Sequence, residues 1–250
     1  MTSEDSTGGR SPRVDGGFAT THWSVVIQAG CLTSPDALPA LEKLCQAYWY
    51  PLYAFVRRSG YGIEDAQDLT QDFFARLIAN EHLAAVHSAK GRFRWFLLTA
   101  VKRLLINDRE RRMAAKRGGG SLHVPFDGER AEDRYRLEAA DHLAPDRLFD
   151  RAWATTLIEA AQRSLEEECV LEGKKALFEE LKVFLSGDRI GRPYAELGER
   201  LGMTEGAVKV TVHRLRRRFR DLLREQVSLT VTDRESLKEE LGDLLAVFSD

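Results

Sequence analysis

The 250-residue chain is 43% hydrophobic and 30% charged, the composition of a globular protein of one or two domains with real cores rather than of a disordered or fibrous chain. Its formal charge of -2 hides a segregation, with acids gathered at 127–150 and after 225 and cations at 90–117 and 200–224, so segment charge is informative where net charge is not. Cys31, Cys45 and Cys169 are odd in number and far apart and support neither a disulfide framework nor a Cys-x-x-Cys metal site; no apolar run reaches the length of a membrane span, and a reducing cytoplasm is the expected setting.

Residues 1–17 are Ser, Thr, Gly and charge, too poor in apolar groups to offset the entropy of ordering and lacking the hydrophobic region of a signal peptide, so 1–19 reads as a flexible leader. Thr20 or Thr21 can then cap a short helix with Trp23 and Ile27 one turn apart. His22 has no partner at metal-ligand spacing. From 37 to 58, Leu38, Leu41, Leu44, Cys45, Tyr48, Leu52, Phe55 and Val56 recur at helical spacing, with Pro51 as a kink or restart and Tyr48-Trp49-Tyr50 as an aromatic core cluster. After Gly60-Tyr61-Gly62 a second helix, 63–79, turns Ala66, Leu69, Phe73 and Leu77 inward and Glu64, Asp65, Asp68 and Asp72, with Gln71, outward. With no His or Cys beside them these carboxylates make no metal site, and one helix face makes no acid–base pair; a partner surface or plain solvation are the readings left.

Residues 93–112 read as a long helix with Phe93, Phe96, Leu97, Ala100 and Leu104 on its main apolar side and Trp95, Leu98, Lys102 and Ile106 on another, the pattern of a helix sandwiched between neighbours. Arg92, Arg94, Lys102, Arg103, Arg109, Arg111, Arg112, Lys116 and Arg117 crowd the same stretch, and aromatics beside cations can hold single-stranded bases by stacking and phosphates by charge. Gly118-Gly119-Gly120 ends this first unit, 20–117, and opens an acidic linker of little periodicity, 118–144. A second unit, 145–226, starts at Pro145-Asp146 with a long amphipathic helix through Leu148, Phe149, Trp153, Leu157, Ile158, Ala161 and Leu165, then a shorter one through Leu177, Phe178, Leu181, Phe184 and Leu185.

That unit closes on a helix-turn-helix. Residues 194–201 give a short helix, Gly202 breaks it, and the Thr204 hydroxyl can cap the next. In the second helix Val208, Val212, Leu215, Phe219 and Leu222 make one narrow stripe, while Gly206, Val210, His213 and Arg217 fall nearly opposite it, flanked by Lys209, Arg214 and Arg220. Such a face fits a major groove, its first residues on base edges and its later cations on phosphates. The other reading of the charge run is a solvated helix, although among residues 200–224 eight cations stand against only Glu205 and Asp221. Residues 227–250 end the chain in an acidic amphipathic helix through Leu237, Leu241, Leu244, Leu245 and Phe248. Opposite in charge to the adjoining cationic helix that ends near Arg224, this tail is expected to fold back on the protein, its leucines packing on the 149–165 or 177–185 helix, and to mask free DNA binding in part; an accessory helix that merely completes the core is the other reading.

The ordered set of acidic helix, aromatic-basic helix, linker and helix-turn-helix resembles a bacterial RNA polymerase sigma factor of the extracytoplasmic-function (ECF) type. Residues 64–77 look like its region 2.2, 93–112 like regions 2.3 and 2.4, and 194–223 like region 4.2. The resemblance implies an all-α fold of two small helical domains joined by a flexible linker, the second with the helix-turn-helix, and no cofactor or metal. It further implies that Asp65, Asp68, Gln71, Asp72 and Phe74 dock on the β′ clamp of core RNA polymerase. Trp95, Lys102, Arg103, Asn107, Arg109, Arg111 and Arg112 would face the −10 element of promoter DNA and assist melting. Thr204, Glu205, Gly206, Lys209, Val210, Thr211, His213, Arg214 and Arg217 would read the −35 element. An anti-sigma factor is a further partner such proteins can have, and polymerase, once engaged, would lift the masking by the tail. Val210 and Thr211 stand where many members carry a polar or basic pair, Asn107 where an Asp is common and Arg103 where an Asn is common, so neither element's sequence transfers from the family. A stand-alone helix-turn-helix repressor or activator binding an operator is the alternative, and it has no need of the acidic face at 65–72. No Gly-rich phosphate loop, Gly-x-Ser-x-Gly elbow or His-Glu-x-x-His helix is present, and no enzymatic activity is expected.

Overall fold

This computed structural model describes residues 37–78, 92–114, 128–138, 143–185 and 193–249, and apolar residues at helical spacing account for most of the helices there. The protein is all-α over these residues, its one strand-like feature an isolated antiparallel bridge between Arg92 and Val231. The expected leader, the capped turn near Trp23, Lys116 and Arg117, and residues 118–127 and 139–142 of the expected linker lie outside them. In chain order the helices are α1 (Ala37–Arg58), α2 (Ile63–Ile78), α3 (Phe93–Ala114), α4 (Gly128–Glu138), α5 (Pro145–Leu171), α6 (Lys175–Leu181) running into a 3-10 turn (Lys182–Phe184), α7 (Tyr194–Leu201), α8 (Glu205–Ser228) and α9 (Arg234–Ala246). None is long and apolar enough to cross a membrane.

Pro51 sits inside α1 without ending it. The aromatic run around it is core: Tyr48, Trp49 and Tyr50 are all buried, Tyr48 meets Phe93 edge-on with ring centres 5.0 Å apart, and its hydroxyl accepts from Trp153 Nε1 at 3.1 Å. Burial pushes the Tyr48 phenol well above its ordinary range, so it stays neutral. Phe55 meets Phe149 edge-on in the same way. Through these contacts the first half of α5 packs along α1, and one cluster of buried side chains takes members from α1, α2, α3, α4 and α5 together with Val227 of α8 and Leu244 of α9. The second half of α5 (Ala161, Leu165, Cys169) packs instead on Phe178, Phe219 and Leu222, so this single helix runs through both halves of the protein.

Part of the stretch expected as a loose linker is a helix. Residues 128–138 carry no continuous apolar stripe; besides Ala131 and Tyr135, which meet the core, α4 is held by polar contacts that periodicity does not show. The buried Glu132 carboxylate accepts from the Tyr53 hydroxyl and from Arg57 through Nε and Nη2, both at 3.0 Å, while the Arg57 guanidinium lies 4.8 Å from the Tyr135 ring centre and Arg134 lies 4.1 Å from that of Tyr50. The fork of Arg57, outweighing the effect of burial, holds Glu132 below the usual carboxylate range.

Candidate nucleic-acid interface

Two helices meeting at a tight turn build the first surface. Leu197 of α7 packs on Val208 and Val212 of α8, all three buried. Gly202 ends α7 in the left-handed conformation at φ 63°, where a side chain is strained, and Met203 N–H returns to the Gly198 carbonyl at 2.8 Å. The turn passes so close to α7 that a Cβ on Gly198 would stand 2.5 Å from the Met203 carbonyl oxygen. Thr204 caps α8, its Oγ1 accepting from Ala207 N–H at 3.2 Å.

With the stripe turned in, the opposite face of α8 stands in solvent. Gly206, Lys209, Val210, His213, Arg214 and Arg217 are exposed, Val210 at 50% despite being apolar. Glu205 pairs with Lys209 one turn on at 2.6 Å, and the Thr211 hydroxyl donates to the Ala207 carbonyl within the helix. The arginine run does not behave as one unit. Arg216 Nε donates to the Phe184 carbonyl at 2.7 Å, and Arg218 forks onto Glu168 of α5 and reaches Glu225 at 3.1 Å. The Arg218 fork lowers the Glu168 pKa against the effect of burial. Arg214, Arg217, Arg220 and Arg224 stay exposed on the outward side.

The second surface is the outer side of α3. Its expected second apolar side is covered only in part: Leu98 is half-buried against the core, whereas Trp95 is 55% and Ile106 56% exposed. Helical geometry stacks Trp95, Lys102 and Ile106 in line with Arg103 beside them, and Arg103, Asn107 and Arg111 are exposed. Other residues expected here are engaged within the protein. Lys102 pairs with Asp146 at the start of α5, and Arg109 donates to the Ser59 carbonyl at 3.0 Å. Arg112 takes Asp108 of its own helix and, with two nitrogens at 2.9 and 3.0 Å, Asp65 of α2.

That last pair joins α3 to the acidic helix. Asp65, below the usual carboxylate range because Arg112 forks onto it, is committed to α3, and Asp72 is paired with Arg76 one turn on at 2.8 Å. Asp68 stands exposed, with Gln71 half-buried on the same side. Phe74, expected among the residues that dock on polymerase, is instead 1% exposed, packed edge-on against Phe73 in the core, because α2 is covered over an arc wide enough to take two consecutive phenylalanines. The outward side of α2 is therefore polar at Asp68 and Gln71, with Phe74 turned into the core.

A feature that charge counting misplaced lies at the start of α3. Arg92 and Arg94, read as nucleic-acid cations, are covered by α9. Arg92 pairs with Glu239, with Glu240 at 3.4 Å and with Asp243 at 2.9 Å; Arg94 pairs with Glu240 at 2.9 Å, with Asp243 at 2.6 Å and with Asp150 of α5. Glu239, Glu240 and Asp243 of the tail therefore go to these two arginines rather than to the cations of α8, while Leu244 does join the cluster that holds Phe149 and Trp153. Among the described residues no group of three or more His, Cys, Asp or Glu is placed to hold a metal ion. Comparison with protein-family models, with curated proteins and with solved structures gave no match.

Proposed function

We propose that the chain is a sigma factor of the ECF type, which binds core RNA polymerase and directs it to promoters by reading −10 and −35 elements. In this reading α7 and α8 form a helix-turn-helix within a promoter-reading unit at 145–226, and α2 and α3 belong to a second unit at 20–117, with 118–144 between them. The observation that carries it is the exposed face of α8: Lys209, Val210, His213, Arg214 and Arg217 stand outward from a helix anchored by Val208 and Val212 and capped by Thr204. A helix so held can enter a major groove with its first turns while Arg217 and Arg220 meet phosphates. The strip of Trp95, Arg103 and Asn107 supports a second contact, in which an exposed indole stacks on an unpaired base beside cations. Asp68 and Gln71 are the α2 side chains best placed to meet polymerase.

A stand-alone operator binder is favoured by one observation, the core shared along α5, which makes a single body of segments that a sigma factor would place on two separated elements. Polymerase separates the readings. The purified chain is mixed with bacterial core RNA polymerase and passed over a sizing column, then tested for promoter-dependent transcription. Co-elution together with new transcripts supports the sigma reading; DNA binding by the chain with no association to polymerase supports the operator binder.

A further inference from the structure

The guanidinium groups that precede Trp95 are held by the other end of the chain. Asp233 caps α9 by accepting from Ser236 N–H at 2.8 Å, and the segment before it lies against the start of α3, where Phe93 N–H donates to the Thr230 carbonyl at 3.0 Å. This register sets Glu239, Glu240 and Asp243 on one side of α9, over Arg92 and Arg94. The acids are of two kinds. Glu240 is fully buried on Arg94, whereas the Glu239 and Asp243 side chains are 53% and 44% exposed and make the rim of the contact. Arg92 depends on that rim: without Glu239 and Asp243 its one remaining carboxylate is Glu240, at 3.4 Å.

We propose that α9 is an acidic cover that competes with the backbone of single-stranded DNA for Arg92. The inference rests on the reading of α3 as a nucleic-acid surface. Three residues beyond Arg92, Trp95 offers an exposed ring on which a base can stack, and a phosphate at that base's side would need a cation where Arg92 stands. Each rim carboxylate offers a guanidinium two anionic oxygens to fork onto, as a phosphodiester does with its two non-bridging oxygens, so one displaces the other by exchange of like partners. The free protein then holds Arg92 occupied, and DNA gains that contact only by displacing Glu239 and Asp243. Leu244 and Glu240 keep the tail in place while the rim exchanges.

The test uses the full chain and a labelled single-stranded DNA oligonucleotide of mixed sequence, with affinity measured by anisotropy across a salt series. The Glu239→Gln, Asp243→Asn variant binds more tightly than wild type, and its log–log salt slope is steeper by about 0.7, the value for one more phosphate contact on a single strand. Adding Arg92→Ala abolishes that gain, while Arg92→Ala in the wild-type background changes little, because Arg92 is already covered. Glu239→Gln alone, at the more exposed of the two positions, gives a smaller gain in the same direction should the double variant lose helicity. Unchanged affinity and slope in a variant of unaltered melting temperature overturn the cover, as does a gain that survives Arg92→Ala. Polymerase association is scored apart: a wild-type chain that co-elutes with polymerase while the variants show no gain removes the cover and leaves the sigma reading, and the opposite pattern does the reverse.

Discussion

Arg94 and Glu240, separated by 146 positions in the chain, face each other inside the protein with Arg94 Nε and Nη2 at 3.0 and 2.9 Å from the two carboxylate oxygens. The Arg94 side chain is 6% and that of Glu240 0% exposed. The guanidinium also lies 4.3 Å from the Trp153 ring centre and pairs with Asp150, so one side chain ties α3, α5 and α9. Burial, which disfavours its charge, is outweighed by Glu240 and Asp150, and the arginine pKa is raised. Removing one partner of such a group strands a buried charge. Arg94→Ala is expected to lower stability by about 3–5 kcal/mol, and Arg94→Met with Glu240→Leu to recover only part of that loss, because the apolar pair replaces the buried ions but leaves Asp150 without its partner. Urea melts of the single and double variants check this.

Glu132 predicts a dependence on pH. Its folded-state pKa lies below its unfolded value because Arg57 forks onto it, so its contribution is present above the unfolded pKa and is lost as pH falls through the folded one. Glu132→Gln should cost about 1–3 kcal/mol at neutral pH, and the difference from wild type should shrink on the acid side of about pH 4. Denaturant melts at neutral and acid pH measure the two values, and a difference independent of pH would remove Glu132 from the acid response.

The arginines of α8 should divide by what they touch. Arg217→Ala and Arg220→Ala, both at exposed positions, should weaken binding to all DNA sequences and reduce the salt slope by about 0.9 each. Arg216→Ala loses the bond to the Phe184 carbonyl, so it should lower the melting temperature and leave the slope alone. Salt titrations on duplex DNA, read beside thermal melts, distinguish the two groups.

Gly198 is the position at which the α7–α8 turn has no room. Because a Cβ there would press on the Met203 backbone oxygen at 2.5 Å, Gly198→Ala must move the turn, at a cost of about 1–3 kcal/mol. Duplex binding should fall with it, since the same turn aims the Lys209–Val210 face. A variant of unaltered stability and unaltered DNA affinity would show that the turn tolerates displacement.

Most of the helical layout was legible because it rests on local rules. The stripe of α8, its Thr204 cap, the Gly202 stop and the burial of Tyr48-Trp49-Tyr50 each follow from residues within a few turns of one another. What stayed hidden was set by distant partners. Helix α4 carries no stripe and depends on Glu132 meeting Tyr53 and Arg57, 79 and 75 positions away. Opposite net charge rightly brought the tail back onto the protein, but it could not choose between two cationic segments, and the start of α3 won because the Phe93–Thr230 backbone contact and the leucine packing fix the register there. The commitment of Arg216 and Arg218 to the Phe184 carbonyl and to Glu168 was beyond reach for the same reason.

Whether this chain places polymerase on two-part promoters is decided by transcription from a randomised DNA library with core RNA polymerase and the chain together, followed by sequencing of the transcribed templates. A sigma factor enriches two separate sequence blocks at a fixed spacing, and Val210→Ser should change the upstream block alone, as expected if each good base contact carries about 1–3 kcal/mol. Templates that carry no second block, or a palindrome bound equally well by the chain without polymerase, would contradict the sigma reading.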